Sequence, residues 1–79
     1  MDLEVVMYVR PGCGLCEEAR EVILAEHRQT PFTYREVDIS GRDALELEYG
    51  VRIPVVEIDG RELFELRVPA AEFAAAVRR

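Results

Sequence analysis

The most constraining stretch of this sequence is residues 3–23, where one periodicity gives way to another. Leu3-Glu4-Val5-Val6-Met7-Tyr8-Val9 is an apolar, β-branched run with the length of a buried strand. Arg10-Pro11-Gly12 ends it. From Cys13 the pattern is helical: Leu15, Ala19, Val22 and Ile23 share one face, while Glu17, Glu18, Arg20 and Glu21 lie mostly off it. Glu17 and Glu18 suit the first turn, where the helix carries partial positive charge. The helix is expected to fade over residues 27–30, before Pro31.

The rest of the chain continues the alternation. Residues 32–39 read as a second strand whose outward residues are polar, which places it at a sheet edge. Residues 43–49 read as a short helix, with Ala44, Leu47 and Val51 at 3-to-4 spacing and Gly50 where a helix-capping glycine is favoured. Residues 54–58 form a third strand. Asp59-Gly60 is a hairpin turn signal leading to a fourth, residues 61–66. Pro69 opens a last helix with Ala70, Phe73, Ala74 and Val77 as its buried stripe. The order is β-α-β-α-β-β-α. Its first βαβ unit must cross over right-handedly, giving a parallel pair, and the hairpin adds an antiparallel one. The expected fold is α/β: a four-stranded mixed sheet with helices on both faces.

Length and charge exclude several classes. Seventy-nine residues make one domain, expected to span residues 1–79. A domain this small buries only about 60% of its unfolded surface. No apolar run approaches the ~20 residues of a membrane span. The formal net charge is −6, with Asp and Glu spread along the chain, so nucleic acid is not an expected partner. The N-terminal Met1-Asp2-Leu3-Glu4 is acidic where a signal peptide would be basic, so the expected location is cytoplasmic. In a reducing compartment a disulfide between the two cysteines would be transient and catalytic.

Those cysteines form Cys13-Gly14-Leu15-Cys16, at the junction of the first strand and helix. That context raises the motif above a bare C-x-x-C, which elsewhere is half a zinc site. A cysteine at a helix N-terminus has its thiolate stabilised by unpaired backbone N–H groups and the helix dipole, so the Cys13 pKa is expected to be lowered. The thiolate is the nucleophile of thiol–disulfide exchange. Cys16, one turn further in, is expected to be more buried and to act as the resolving thiol. Arg10 would place positive charge beside the thiolate.

Two segments carry a resemblance. Tyr8-Val9-Arg10-Pro11-Gly12-Cys13-Gly14-Leu15-Cys16-Glu17-Glu18-Ala19 resembles the active-site segment of small bacterial glutaredoxin-like proteins of the thioredoxin superfamily. Tyr49-Gly50-Val51-Arg52-Ile53-Pro54-Val55 resembles the segment leading into that family's cis-proline, and Ile58-Asp59-Gly60 the hairpin that follows. The resemblance implies a thioredoxin-like fold, a cis Ile53–Pro54 bond and dithiol–disulfide oxidoreductase activity. It also implies that Ile53 offers its backbone to an extended substrate. Cys13 and Cys16 are thus the candidate catalytic residues, and Arg10, Leu15, Ile53 and Pro54 the candidate substrate-binding ones.

The sequence also departs from the family. Glutathione-dependent members carry a Gly-Gly pair where this chain holds Phe64 and Glu65. A phenylalanine blocks close approach and a glutamate repels a carboxylate, which weighs against glutathione as electron donor. Arg10 matches a basic position that helps bind glutathione in many glutaredoxins, so the two signals conflict. Met7 stands at the position of the buried aspartate of thioredoxins. No bound cofactor or metal is expected. The expected partners are a protein or small-molecule disulfide and a reductase or low-molecular-weight thiol, with no membrane, acting on a monomer. The alternatives are a metal or iron–sulfur carrier using thiols from two chains, or a redox-switched binding module. Tyr8 reads equally as a groove-lining residue or a half-buried strand residue. Glu57 reads as a solvent-facing strand residue, His27 as a solvated helix end, and the Ala-rich last helix as core packing.

Overall fold

Gly12 makes the break between the first two elements possible. Its φ of +76° lies in the left-handed region, which glycine enters without steric cost. The chain turns there from strand β1 (Leu3–Val9) into helix α1 (Gly14–His27). In the computed structural model, which describes residues 2–78, strand β2 (Phe32–Asp38) and helix α2 (Asp43–Tyr49) follow. Strands β3 (Val55–Ile58) and β4 (Arg61–Glu65) and helix α3 (Ala70–Val77) complete the chain. Met1 and Arg79, included in the expected domain span, lie outside the described residues.

The sheet order is β2-β1-β3-β4. β1 and β2 are parallel, from Leu3 opposite Phe32 to Val9 opposite Asp38. β1–β3 and β3–β4 are antiparallel. The mixed sheet and element order are those expected from the sequence, and β2 lies at an edge as its polar outward residues imply. Asp59 (φ +52°) and Gly60 (φ +83°) both take positive φ, as a tight hairpin turn requires.

Alternation along β1 sorts the core. Val5, Met7 and Val9 face one side of the sheet, where they meet Val56 and Ile58 of β3. Ala19 and Ile23 of α1 and Phe73 and Val77 of α3 close that layer. The Phe73 ring meets Phe32 edge-on at 5.8 Å. Val6 and Tyr8 face the other side, beside Glu57 and Val55 in the register of β1 with β3. At the far end of the main layer, Glu26 is buried and accepts from Arg78 (2.6 and 2.9 Å) and Thr30. These bonds hold its carboxyl below the usual range. His27 ends α1, its Nε2 2.9 Å from the Phe32 carbonyl oxygen.

Two local expectations are corrected, the inward face of α2 and the start of α3. Leu47 and Val51 are 90% and 92% exposed, and Ala44 is exposed as well, so the apolar spacing of α2 does not face the core. Leu45 and Tyr49 turn inward instead. The rotation follows from long-range partners: Tyr49 stacks on Tyr8 with ring centroids 4.0 Å apart, and Glu46 binds Arg10 at 2.7 Å. Gly50 caps α2, but with right-handed φ of −52°. Space rather than handedness demands glycine there, because a Cβ would run into the Glu46 carbonyl and sit 3.3 Å from the Arg10 guanidinium. Pro69 is the N-cap of α3, one place before the helix, and Ala70 in the first turn is exposed.

Candidate functional site

Cys13 is the N-cap of α1, in extended backbone geometry (φ −97°, ψ 109°). Helix N-termini leave backbone N–H groups without intrahelical acceptors. Here one of them, Cys16 N–H, donates to Cys13 Sγ at 3.1 Å. Cys13 is half-buried, while Cys16 is 1% exposed and part of the core. The two are joined as a disulfide, with Cα atoms 5.2 Å apart. One sulfur therefore sits at the mouth of the helix and the other beneath it. A thiolate formed at Cys13 would lie against a donor and the positive helix end.

The Ile53–Pro54 peptide bond is cis. Ile53 packs its side chain into the same buried cluster as Cys16, and Cys13 packs against that cluster. The Leu66 N–H donates to the carbonyls flanking Ile53, Arg52 O at 3.2 Å and Pro54 O at 2.9 Å. Among the described residues, the N–H and carbonyl of Ile53 itself pair with no backbone group. Leu15, between the two cysteines, lines a cleft of about 320 Å³ together with Ala19, Val22, Leu66, Val68 and Pro69. Glu18 and Arg67 face each other across its rim at 3.6 Å. Cys16 and Ile53 thus share the buried core, Pro54 is fully buried next to Ile53 in the chain, and Leu15 lines the cleft on the α1 side.

The Arg10 guanidinium binds Glu46 Oε1 of α2 at 2.7 Å. The Arg10 bond, followed by the Gly41 N–H at 3.2 Å, holds the Glu46 carboxyl below its usual range. Tyr8 is half-buried and stacked on Tyr49, in keeping with its reading as a strand residue. Glu57 is not the solvent-facing residue that alternation implies. It accepts from both the Tyr8 and Tyr49 hydroxyls, each at 3.4 Å. Burial raises the Tyr49 hydroxyl pKa.

Sequence reasoning missed Arg52. Its Nη1 donates to Glu62 (2.9 Å) and Glu65 (3.2 Å), and its Nη2 to the Glu48 carbonyl (3.0 Å) and carboxylate (3.4 Å). Its guanidinium carbon lies 5.5 Å from the Tyr49 ring centroid. The i,i+4 pair with Glu48 was the one local signal of this network. Phe64 and Glu65, the departures from the glycine pair, are also engaged: Phe64 lies 6.1 Å from Phe73, centroid to centroid, and Glu65 binds Arg52. Met7 is fully buried on β1. Among the described residues no three His, Cys, Asp or Glu side chains are grouped to hold a metal ion, and no helix is long and apolar enough to cross a membrane.

Comparison with known proteins places this geometry among relatives. The model of the glutaredoxin-like domain (DUF836) matches residues 4–78. The N-acetyl-S-hydroxy-L-cysteine reductase of Bacillus subtilis is 34% identical over 61 residues, 71% of this chain and 61% of that protein. The chain thus spans less than two thirds of that relative's length. A structural-genomics target protein from X. campestris is 37% identical and superposes with a TM-score of 0.73 over 91% of this chain and 92% of that one. A mutant thioredoxin from Halobacterium salinarum, 23% identical, superposes with a TM-score of 0.66 over 96% of this chain and 72% of its own, a likeness of fold.

Proposed function

Because the chain belongs to the glutaredoxin-like domain family, we propose that it is a dithiol–disulfide oxidoreductase in which Cys13 is the nucleophile and Cys16 the resolving thiol. The observation that carries this reading is the placement of Cys13 as helix N-cap, with Cys16 buried one turn below and within bonding reach. In the reduced protein the Cys13 thiolate attacks one sulfur of a substrate disulfide. The Cys13–substrate S–S bond forms, the substrate S–S bond breaks, and the second substrate sulfur leaves as a thiolate that takes up a proton. Cys16 then loses its proton and attacks the Cys13 sulfur. The intramolecular disulfide closes and the first substrate thiolate is released. Two electrons pass from the protein dithiol to the substrate. Proximity favours the second step, since the resolving sulfur is tethered beside the bond it cleaves.

An extended substrate would meet the unpaired Ile53 backbone by strand-like pairing, with Pro54 holding that segment and Leu15 flanking the cysteines. Nothing is bound as a cofactor in this reading, and the oxidised pair is recycled by a low-molecular-weight thiol or a protein reductase.

The relative named as a reductase of N-acetyl-S-hydroxy-L-cysteine supports a second substrate class, a small cysteine sulfenic acid. There Cys13 attacks the hydroxylated sulfur, hydroxide leaves and is protonated to water, and Cys16 releases the thiol as before. Cys16→Ser distinguishes the site roles. It should trap one equivalent of substrate thiol on Cys13, whereas Cys13→Ser should trap none and lose turnover. Turnover retained by Cys13→Ser would refute the assignment.

A further inference from the structure

We propose that Arg52 is a positioning residue that holds the Ile53 backbone in place for the main chain of a protein disulfide substrate; this inference rests on the oxidoreductase reading. Arg52 directly precedes Ile53 and is fixed from both of its ends. Its backbone N–H donates to the Tyr49 carbonyl at 2.8 Å, and its carbonyl accepts from Leu66. Its side chain, 24% exposed, spans from the last turn of α2 to two glutamates of β4. The bond to the Glu48 carbonyl satisfies one of the acceptors a helix C-terminus leaves open. One guanidinium thereby ties α2, the connector to Ile53, and β4 together.

Charge gives the same residue a second role. Glu48, Glu62 and Glu65 are drawn to one point, and Arg52 is the cation that holds them there. Without it, three carboxylates would repel one another and spread, and α2 and β4 would part on either side of Ile53. A fork of fixed donors serves three acceptors in a way a single ammonium cannot. A small disulfide that touches only Cys13 has no main chain to pair and should not sense the change.

The test compares two substrates. Arg52→Met should raise KM for insulin, with dithiothreitol recycling the protein, by about tenfold, the size of one charge-assisted hydrogen bond lost. It should leave kcat within about twofold. Single-turnover oxidation of the pre-reduced variant by 4,4′-dithiodipyridine, a small disulfide uncharged at neutral pH, should be unchanged in rate and in pH profile. Arg52→Lys should restore part of the loss. If Arg52→Met does not fold, the double variant Glu62→Ala, Glu65→Ala carries the same test, because it removes the β4 anchors and leaves the Glu48 bond. An unchanged insulin KM in the folded variant, or equal losses on both substrates, would overturn the inference. Wild-type protein that reacts with the small disulfide but not with insulin would overturn it alone. Wild-type protein inert to both would overturn the oxidoreductase reading and this inference with it.

Discussion

The backbone N–H of Cys16 donates to the sulfur of Cys13 across 3.1 Å, so the residue that would resolve the intermediate also supplies a donor to the attacking sulfur. A donor that favours the anion over the thiol lowers the pKa. The Cys13 thiol should therefore ionise below the free-cysteine value of about 8.5. Thiolate absorbance followed against pH in the reduced Cys16→Ser protein, which keeps the N–H, checks this directly. An ionisation at or above the free value would remove the helix-terminus argument.

Glutathione should be a poor sole electron donor. Arg52 carries one positive charge among Glu48, Glu62 and Glu65, which leaves the rim near Ile53 net negative toward a tripeptide with two carboxylates. Recycling assays that supply either glutathione with its reductase or thioredoxin reductase alone should favour the second. The deficit with glutathione should shrink as salt screens the rim, over a Debye length of about 8 Å at physiological ionic strength.

The two apolar faces of the helices should respond oppositely to substitution. Leu47→Ser, at a position 90% exposed, should change unfolding free energy by no more than about 0.5 kcal/mol. Phe73→Ala, at a position fully buried between Phe32 and Phe64, should cost about 3–5 kcal/mol. In a domain this small the second loss would leave much of the chain unfolded. Urea titration of both variants checks the rotation of α2 and the core together.

Acid should weaken the fold through paired carboxylates. Glu26, Glu36 and Glu46 are each held below the usual range, first by hydrogen bonds from Arg78, Arg20 and Arg10 respectively. For a depressed carboxyl the unfolded chain binds the proton first. The stabilisation is therefore complete above the unfolded value near about 4.3 and is lost as pH falls through the lower folded value. Arg78→Met should flatten the Glu26 share of this slope. A variant whose stability falls with acid as steeply as the wild type would contradict it.

What could be read in the sequence was what neighbours decide. The strand at residues 3–9, the break at Gly12 and the cysteine pair at a helix start depend on contacts within a turn or two. The rotation of α2 does not. Ala44, Leu47 and Val51 make one plausible stripe and Leu45 and Tyr49 another. The choice was made by Tyr8 and Arg10, far back in the chain. The same holds for Arg52: only Glu48 lies within helical reach, while Glu62 and Glu65 come from across the hairpin. The ion-pair partner of Arg10 is likewise distant in sequence, Glu46 of α2.

The sheet ends on both sides in an open strand, β2 and β4. Each carries charge of both signs along its length: Arg35, Glu36 and Asp38 on one, Arg61, Glu62 and Glu65 on the other. Adding another strand at either border would strip water from several of these groups at once. That penalty works against fibrillar stacking of copies, so the molecule can keep two open sheet borders without inviting its own polymerisation.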